Sequence, residues 1–271
     1  MKQLANKLAL VTGAGSGIGR ATALALAEEG ARVIVTDLNE PSADATAEQI
    51  RSKDQWAESY QLDVTDLDRM VNMARDVEQA QGPLDILVNN AGIAVAGLFV
   101  DVSIENFRKV MDINMMGVVN GCHAFLPAMV ARGQEAHVVN IASMAGYVGV
   151  GKMTAYCTTK FAVLGFSECL RAEMAAHAIG VSAICPGLIR TNIVESGILE
   201  SRDQDVEEKR KEIESLLRKR NYPPEKVGKA IIKAIRRNRA VAPVTPEARV
   251  FYYVKRGAPW IVSWLARREL I

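Results

Sequence analysis

Short runs of consecutive apolar residues alternate along this chain with longer stretches in which apolar residues recur every three or four positions. The runs predict six buried strands, at Leu8–Thr12, Ala31–Thr36, Glu58–Leu62, Asp85–Asn89, Ala136–Ala142 and Val181–Ile184. The periodic stretches predict helices at Ile18–Glu29, Pro41–Arg51, Asp66–Gln79, Ile104–Val130 and Thr154–His177, with Gly117 and Gly121 as candidate break points. Because the strand runs do not alternate with polar residues, both sheet faces are expected to be covered. The pattern therefore predicts an α/β fold with a doubly wound parallel sheet.

This alternation ends after Pro186. Two more helices, Gln204–Arg220 and Pro223–Asn238, and an edge strand at Val241–Val244 are predicted there. Residues 1–244 are interpreted as one domain, in which residues 191–225 form a polar, charged segment. Residues 245–271 lie beyond what the sheet needs and are interpreted as an amphipathic helical extension at the C-terminal side.

The composition is that of an ordinary globular protein, with 271 residues, 49% of them apolar and 24% charged, which excludes a disordered or low-complexity chain. The four cysteines do not stand at metal-ligand spacing from one another or from a histidine, so we expect reduced, mostly buried thiols, a cytoplasmic location and no metal. The N-terminal apolar stretch is too short for a signal peptide, and no run of 18 apolar residues predicts a spanning helix.

Charge is distributed unevenly although the formal net charge is only +2. Residues 1–199 carry 15 basic and 21 acidic side chains, whereas residues 200–271 carry 18 basic and 10 acidic ones. A basic C-terminal part indicates either an anionic partner or a well-solvated helical face.

A glycine-rich turn joins the first predicted strand to the first helix, with the sequence Thr12-Gly13-Ala14-Gly15-Ser16-Gly17-Ile18-Gly19. Glycines there let the backbone approach a pyrophosphate closely, and the following helix N-terminus supplies N–H donors and partial positive charge. The turn and its place in the chain predict a Rossmann-like dinucleotide site. The chain lacks Gly-Lys-Ser/Thr in this turn, which disfavours a P-loop, and the alternative is a tight turn without a ligand.

Asp37 closes the second predicted strand, 18 residues after Gly19. A carboxylate at that point accepts hydrogen bonds from an adenosine ribose and repels the 2′-phosphate of NADP. Arg20 and Arg32 are near in sequence but are expected to point elsewhere, so NAD is favoured as the cofactor. The alternative is that Asp37 only ends the strand.

Three further residues form a candidate reactive centre. Tyr156 and Lys160 are four positions apart on a predicted helix and so share one face. An ammonium beside a phenol is expected to lower the phenol pKa, which makes Tyr156 a candidate general acid and base. Ser143 follows the fifth strand, where its hydroxyl is placed to polarise a carbonyl. A Tyr-x-x-x-Lys pair alone more often marks an exposed helix face.

In combination these motifs resemble the short-chain dehydrogenase/reductase family over about residues 5–192. The residues that carry the resemblance are Thr12–Gly19, Asp37, Asp63-Val64, Asn89-Asn90-Ala91-Gly92, Asn114, Ser143, Tyr156-Cys157-Thr158-Thr159-Lys160, and Pro186-Gly187 with Thr191. Cys157 and Thr158 stand where smaller residues are common in the family, which is expected to affect packing more than chemistry. The resemblance implies an NAD-dependent oxidoreductase acting on a CH–OH group.

The resemblance also implies roles for these positions. The catalytic set would be Asn114, Ser143, Tyr156 and Lys160, with Asn114 holding a water of a proton relay. The cofactor-binding set would be Gly13, Ser16, Gly17, Ile18, Gly19, Asp37, Asp63, Val64, Asn90, Ala91, Gly92, Tyr156, Lys160, Pro186, Gly187, Ile189 and Thr191. Asp63 and Val64 would contact the adenine, and Pro186, Gly187 and Thr191 the nicotinamide. A homodimer or homotetramer through the two long helices is typical of the family, and a non-catalytic dinucleotide-binding scaffold or sensor is the alternative function.

Apolar side chains dominate the segments that should surround the substrate. They are Met144, Tyr147, Val148, Val150 and Met153 after Ser143, Ile93, Val95, Leu98 and Phe99 after Gly92, and Ile193, Val194, Ile198 and Leu199 in residues 191–225, interpreted as a lid. They predict an apolar secondary alcohol or ketone, of steroid, terpenoid, retinoid or long-chain type. The alternative is that they are core residues.

The segment Arg249–Arg268 combines apolar, tryptophan and basic residues, interrupted by Gly257 and Pro259, so two short helices are predicted. A cover over the substrate cleft, a subunit contact and a peripheral membrane contact remain as interpretations, whereas nucleic acid is not expected as a partner.

Overall fold

The computed structural model of the chain describes residues 1–191, 193, 197–200, 211, 215 and 220–267. The strands of its main sheet are β1 (Leu8–Thr12), β2 (Arg32–Asp37), β3 (Ala57–Gln61), β4 (Ile86–Asn89), β6 (Ala136–Ile141), β7 (Ile179–Cys185) and β9 (Val241–Pro243). These seven strands are parallel throughout and lie in the order β3-β2-β1-β4-β6-β7-β9. The expected Rossmann-like, doubly wound α/β fold in a single domain is confirmed.

Helices cover both faces of this sheet. They are α1 (Gly17–Glu28), α2 (Glu40–Arg51), α3 (Leu67–Gln81), α4 (Ile104–Met111), α5 (Gly117–Arg132), α6 (Thr154–Met174), α7 (Pro224–Arg236), α8 (Pro246–Gly257) and α9 (Pro259–Arg267). On one face α1, α2 and α7 pack against side chains such as Ala9 and Val11 of β1, and on the other α3, α5 and α6 pack against Leu8 and Leu10. The central strands therefore have two apolar faces, which explains their unbroken apolar runs.

The long helix between β4 and β6 is continuous from Ile104 to Arg132, so a break at Gly117 or Gly121 is wrong. It instead changes to a π-helical turn at Asp112–Met116. A side chain at Gly117 would meet Val64, and one at Gly121 would meet Asn89, so both glycines serve close packing. By length and composition this helix could cross a membrane, but half of its most apolar stretch is buried, as in the core helix of a folded domain.

Two short elements had no sequence signal. β5 (Val95–Ala96) and β8 (Ile198–Leu199) pair in a separate two-stranded parallel sheet, which joins the segment after β4 to the start of the proposed lid. Most of the predicted helix Gln204–Arg220 lies outside the described residues, as does Val194. The predicted interruption of the last segment is confirmed, because α8 ends at Gly257 and α9 begins at Pro259.

Candidate active site

The glycine turn leads from the carboxyl end of β1 into α1. Gly13 and Gly17 have φ values of +60° and +52°, which favour glycine. A Cβ on Gly13 would lie 2.8 Å from the Cα of Ala91, so a side chain there would collide with backbone. Ser16 precedes α1 without capping it through its side chain, and the first turn of α1 has no acidic residue. The N-terminal amides of α1 are thus available to an anionic group.

Asp37 lies against this turn. Its Oδ2 accepts a 2.8 Å hydrogen bond from the Gly15 amide, and its Oδ1 accepts one of 2.9 Å from the Asn39 amide. The two nearby arginines are engaged elsewhere, as expected: Arg20 donates to Gly15 O and to the Thr46 hydroxyl, and Arg32 stacks 4.4 Å above the Trp56 ring. No cation therefore compensates Asp37 among these neighbours.

The segment after β4 forms the opposite side of the glycine turn. The Asn90 side chain donates to the carbonyls of Thr12 and Gly13, at 2.9 and 3.0 Å. The Thr12 hydroxyl in turn accepts from the amides of Asn90 and Ala91. These bonds join the ends of β1 and β4, so Asn90 and Ala91 fix the position of the glycine turn.

Asp63 and Val64 follow β3 and differ in exposure. Asp63 is exposed and accepts from the amide and hydroxyl of Thr65 at 2.9 and 2.7 Å. Val64 is buried, and its carbonyl accepts from the Asn120 side chain at 2.9 Å. Asp63 thus presents a carboxylate to solvent beside the end of β3, and Val64 belongs to the core.

Asn114 is fully buried in the π-helical turn. Its side chain accepts from the Ile93 amide at 2.8 Å and donates to the Ile93 carbonyl at 2.9 Å and to the Thr159 hydroxyl at 3.1 Å. A Cβ on Gly92 would lie 3.0 Å from its Oδ1. Asn114 therefore fixes Gly92–Ile93 against α6. The sequence did not indicate this role, nor the contact of Asn114 with Thr159.

Ser143, Tyr156 and Lys160 are brought together at the carboxyl end of β6. Ser143 lies close enough to the Tyr156 phenol to influence its pKa, and its hydroxyl donates to the Pro186 carbonyl at 3.5 Å and accepts from the Ala145 amide at 3.1 Å. The Lys160 Nζ lies 5.7 Å from the centroid of the Tyr156 ring and donates to the Ile141 carbonyl at 2.9 Å. The expectation that one helix face would join the tyrosine and the lysine is confirmed geometrically.

Burial dominates the protonation of this cluster. It raises the pKa of Tyr156 from 10.0 to about 12, although the hydrogen bond with Ser143 acts in the opposite direction. Burial also lowers the pKa of Lys160 from 10.5 to about 8. The expectation that Lys160 holds the phenol pKa below its ordinary value is wrong for this structure, because desolvation of the phenolate outweighs the opposing influence of Ser143.

The loop after β7 reaches the same cleft. The Pro186 carbonyl accepts from the Met144 amide at 2.7 Å, beside Ser143, and Ile189 is buried in the core. A Cβ on Gly17 would lie 3.3 Å from the Thr191 side chain, so the loop returns to the glycine turn. Gly187 packs against Thr245 and Glu247 of the α8 N-terminus, two residues that the sequence did not single out.

The apolar residues expected around the substrate include both buried and exposed side chains. Val95, Tyr147 and Val148 are buried in core clusters, which supports the core interpretation for them. Leu98 and Phe99 are 52% and 64% exposed on the segment between β5 and α4. Tyr147 also contacts the C-terminal helices, since its hydroxyl donates to the Ala248 carbonyl at 2.6 Å.

The sequence predicts mostly buried cysteines and no metal site. Cys122, Cys157 and Cys185 are buried free thiols and Cys169 is an exposed one, which confirms that the cysteines are mostly buried. Within the part of the chain that the structure describes, no three His, Cys, Asp or Glu side chains are grouped to hold a metal ion.

The arrangement of glycine turn, parallel sheet and Ser–Tyr–Lys cluster matches known proteins. Residues 7–200 match the model of the short chain dehydrogenase family. The chain is 43% identical over 267 residues to "Probable oxidoreductase EphD" of Mycobacterium tuberculosis, covering 97% of this chain and 45% of that protein. It is 35% identical over 193 residues to 3-oxoacyl-acyl-carrier-protein reductase FabG of Thermotoga maritima, covering 71% of this chain and 78% of FabG. The chain belongs to the short-chain dehydrogenase/reductase family.

A solved structure shows the same fold. The short chain dehydrogenase/reductase of Burkholderia phymatum in complex with NAD superposes with a TM-score of 0.87 at 24% identity, covering 96% of each chain. Because 96% of this chain is covered, the match extends into the C-terminal helices. The present chain spans less than half the length of EphD, so the activity of a longer protein does not follow from that likeness.

Proposed function

We propose that the protein is an oxidoreductase that transfers a hydride between a nicotinamide dinucleotide and an apolar secondary alcohol or ketone. The observation that carries the proposal is the contact of Ser143 with Tyr156 over a buried Lys160, at the edge of the sheet where the glycine turn also lies. Ligands of doubly wound sheets bind at this carboxyl edge. A scaffold or sensor has no chemical use for a serine and a tyrosine grouped with a buried lysine.

The residues present fit a dinucleotide. Gly13 and Gly17 give the turn its positive φ values, and the uncapped N-terminus of α1 offers N–H donors to a pyrophosphate. Asp37 would bind the adenosine ribose, and its carboxylate supports NAD over NADP because a 2′-phosphate would be repelled. Asp63, Val64, Asn90, Ala91 and Gly92 would line the remaining adenosine and ribose side. When bound, the nicotinamide supplies the hydride chemistry.

The protein's own groups would manage the proton. With a pKa near 12, Tyr156 carries its proton at neutral pH and is suited to donate it to a carbonyl oxygen. Ser143 would hold the same oxygen by a hydrogen bond. Lys160, whose Nζ lies 5.7 Å from the centroid of the Tyr156 ring, would bring positive charge to the phenolate that forms. In the alcohol-oxidising direction Tyr156 would first have to release its proton to solvent, and the phenolate would then accept the proton of the alcohol.

The substrate class is supported by the apolar surroundings. Leu98 and Phe99 stand exposed near the β5–β8 pair, and Leu188 is 39% exposed on the loop after β7. FabG is by its name a reductase of 3-oxoacyl groups, which are ketones, and this supports a ketone–alcohol pair as substrate and product. Steroid, terpenoid, retinoid and long-chain alcohols all fit such an environment. A cytoplasmic location and a homodimer or homotetramer stay predictions.

Replacing Tyr156 with phenylalanine tests the proposal, because it removes only the phenol oxygen. We expect turnover with apolar secondary alcohols or ketones to fall by about 10² to 10⁴-fold, the usual contribution of general acid–base catalysis. NADH binding, followed by fluorescence titration, should stay within about threefold of the wild type. Tyr60→Phe, on the edge strand β3, is the matched control and should keep full activity. Near-normal turnover by Y156F would overturn the assignment, and NADH binding without turnover of any alcohol by the wild type would favour the scaffold.

A further inference from the structure

Glu247, in the first turn of α8, touches two segments that are distant in sequence. Its Oε1 accepts a 3.3 Å hydrogen bond from the Leu188 amide in the loop after β7. Its Oε2 forms an ion pair with Arg220, which stands just before α7. One carboxylate thus joins the C-terminal helices, the loop after β7 and the end of residues 191–220.

Gly187 is shaped around this contact. A Cβ built on Gly187 would lie inside van der Waals contact of both Glu247 Oε1 and Thr245 Oγ1. Thr245 is fully buried and caps α8, accepting from the Ala248 amide at 3.4 Å. The loop backbone therefore rests directly on the α8 N-terminus, and the absence of a side chain at position 187 makes that approach feasible.

The same loop is held at both of its ends. The Pro186 carbonyl accepts from the Met144 amide, next to Ser143, and the Arg190 amide donates to the Tyr222 carbonyl at 3.0 Å. Between these two points, α8 contacts the loop through the hydrogen bond that the Leu188 amide donates to Glu247. Because the two ends of the loop are held, loss of the Glu247 contact is expected to displace mainly Gly187 and Leu188.

The electrostatics favour a carboxylate at this position. The side chains of Glu247 and Arg220 are 21% and 31% exposed, so the pair is partly shielded from water. An acidic residue in the first turn of a helix is also stabilised by the helix dipole. A carboxylate at position 247 is therefore supported both by Arg220 and by the helix N-terminus.

We propose that Glu247 is a positioning residue for the reaction: it holds Gly187 and Leu188 in place for the nicotinamide side of the cofactor and, through Arg220, anchors residues 191–225 to α8. This inference rests on the proposed function, because it assigns the loop after β7 to the cofactor. It gives α8 a part in the site, so the C-terminal helices act as more than a cover. Glu247 acts through its two partners, Leu188 and Arg220.

Three substitutions separate the two contacts. Glu247→Ala removes both, and we expect the Kd for NADH to rise about three- to tenfold, as for loss of one ordinary hydrogen bond, with a fall in kcat. Glu247→Gln keeps an oxygen for the Leu188 amide, so NADH affinity should stay within about twofold while the substrate KM rises. Arg220→Gln removes only the ion pair and should resemble Glu247→Gln.

Glu225→Ala is the matched control. Glu225 also follows a proline in the first turn of a helix, at Pro224-Glu225 in α7, but its side chain is exposed. This variant should match the wild type in NADH affinity, kcat and KM. Thermal unfolding of every variant shows whether Glu247→Ala still folds, and if it does not, Glu247→Gln and Arg220→Gln carry the test.

The outcomes are distinct. A rise in Kd for NADH with alanine that glutamine restores, together with a higher substrate KM for Glu247→Gln and Arg220→Gln, supports the proposal. Lowered thermal stability with unchanged Kd, kcat and KM would show a purely structural contact and overturn it. Failure of the wild-type protein to bind NADH or turn over any alcohol would instead overturn the proposed function.

Discussion

Replacing Lys160 with methionine is expected to stabilise the protein at neutral pH while removing its activity. Methionine has nearly the length and shape of lysine but carries no charge. Lys160 is only 4% exposed, and its Nζ donates a hydrogen bond to the Ile141 carbonyl. A buried ammonium with so few partners opposes folding.

The size of the effect follows from the pKa of Lys160, which burial lowers from 10.5 to about 8. The gap of about 2.5, at about 1.4 kcal/mol for each pKa unit, means that the charge opposes folding by about 3 kcal/mol at pH 7. The methionine variant leaves the Ile141 carbonyl without its donor, which costs about 1 kcal/mol. The free energy of unfolding should therefore rise by about 2 kcal/mol.

The gain should depend on pH in a defined direction. Below about pH 8 the lysine is protonated in both the folded and the unfolded chain, so the penalty on the wild type is complete. Between pH 8 and 10.5 the folded chain releases the proton while the unfolded chain keeps it, and wild-type stability gains relative to the variant. By pH 10.5 the advantage of methionine should be gone.

Urea unfolding of the wild type and Lys160→Met at pH 7 and pH 10.5 measures both effects. Lys229→Met, at an exposed position of α7, is the control and should change the free energy of unfolding by less than about 0.5 kcal/mol at either pH. A variant less stable than the wild type at pH 7, or an advantage equal at both pH values, would refute the reasoning. Activity should fall together with the gain in stability.

Two further predictions concern the cofactor and the C-terminal surface. Asp37→Ala should weaken NAD binding about tenfold, because the ribose acceptor and the bond to the Gly15 amide are both lost. It should also lower the ratio of kcat/KM with NAD to kcat/KM with NADP, and an unchanged ratio would contradict the role of Asp37. Tyr253 and Trp260 are 71% and 67% exposed beside basic residues of α8, and this complementarity to anionic lipid predicts flotation with phosphatidylserine vesicles. A Tyr253→Ser, Trp260→Ser double variant should lose flotation, and absence of flotation in the wild type contradicts the membrane contact.

Local patterns predicted the parts of the fold that local physics determines. The strand Leu8–Thr12 matches to the residue, and the end of α8 at Gly257 follows from the Gly257–Pro259 interruption. The long helix was misjudged at Gly117 and Gly121, because helix propensity favours a break where tertiary packing against Val64 and Asn89 keeps the helix continuous. Propensity is a local quantity, and these contacts are not local.

The site shows the same division. The spacing of Tyr156 and Lys160 placed them on one helix face, and the glycines of the first turn indicated a close backbone approach. The pKa of Tyr156 could not be predicted, because it depends on how many atoms bury the phenol rather than on its neighbour in the helix. Glu247 was missed because its partner Leu188 is 59 residues away and nothing in the sequence relates the two.

Transfer of an isotope tests the central claim most directly. Apolar secondary alcohols deuterated at the carbinol carbon are incubated with the protein and NAD, and the reduced cofactor is analysed by mass spectrometry and by absorbance. We predict deuterated NADH from at least one such alcohol with the wild type, and at least about 100-fold less of it with Tyr156→Phe. NAD that binds but is reduced by none of these alcohols, or equal transfer by both proteins, would contradict the proposal.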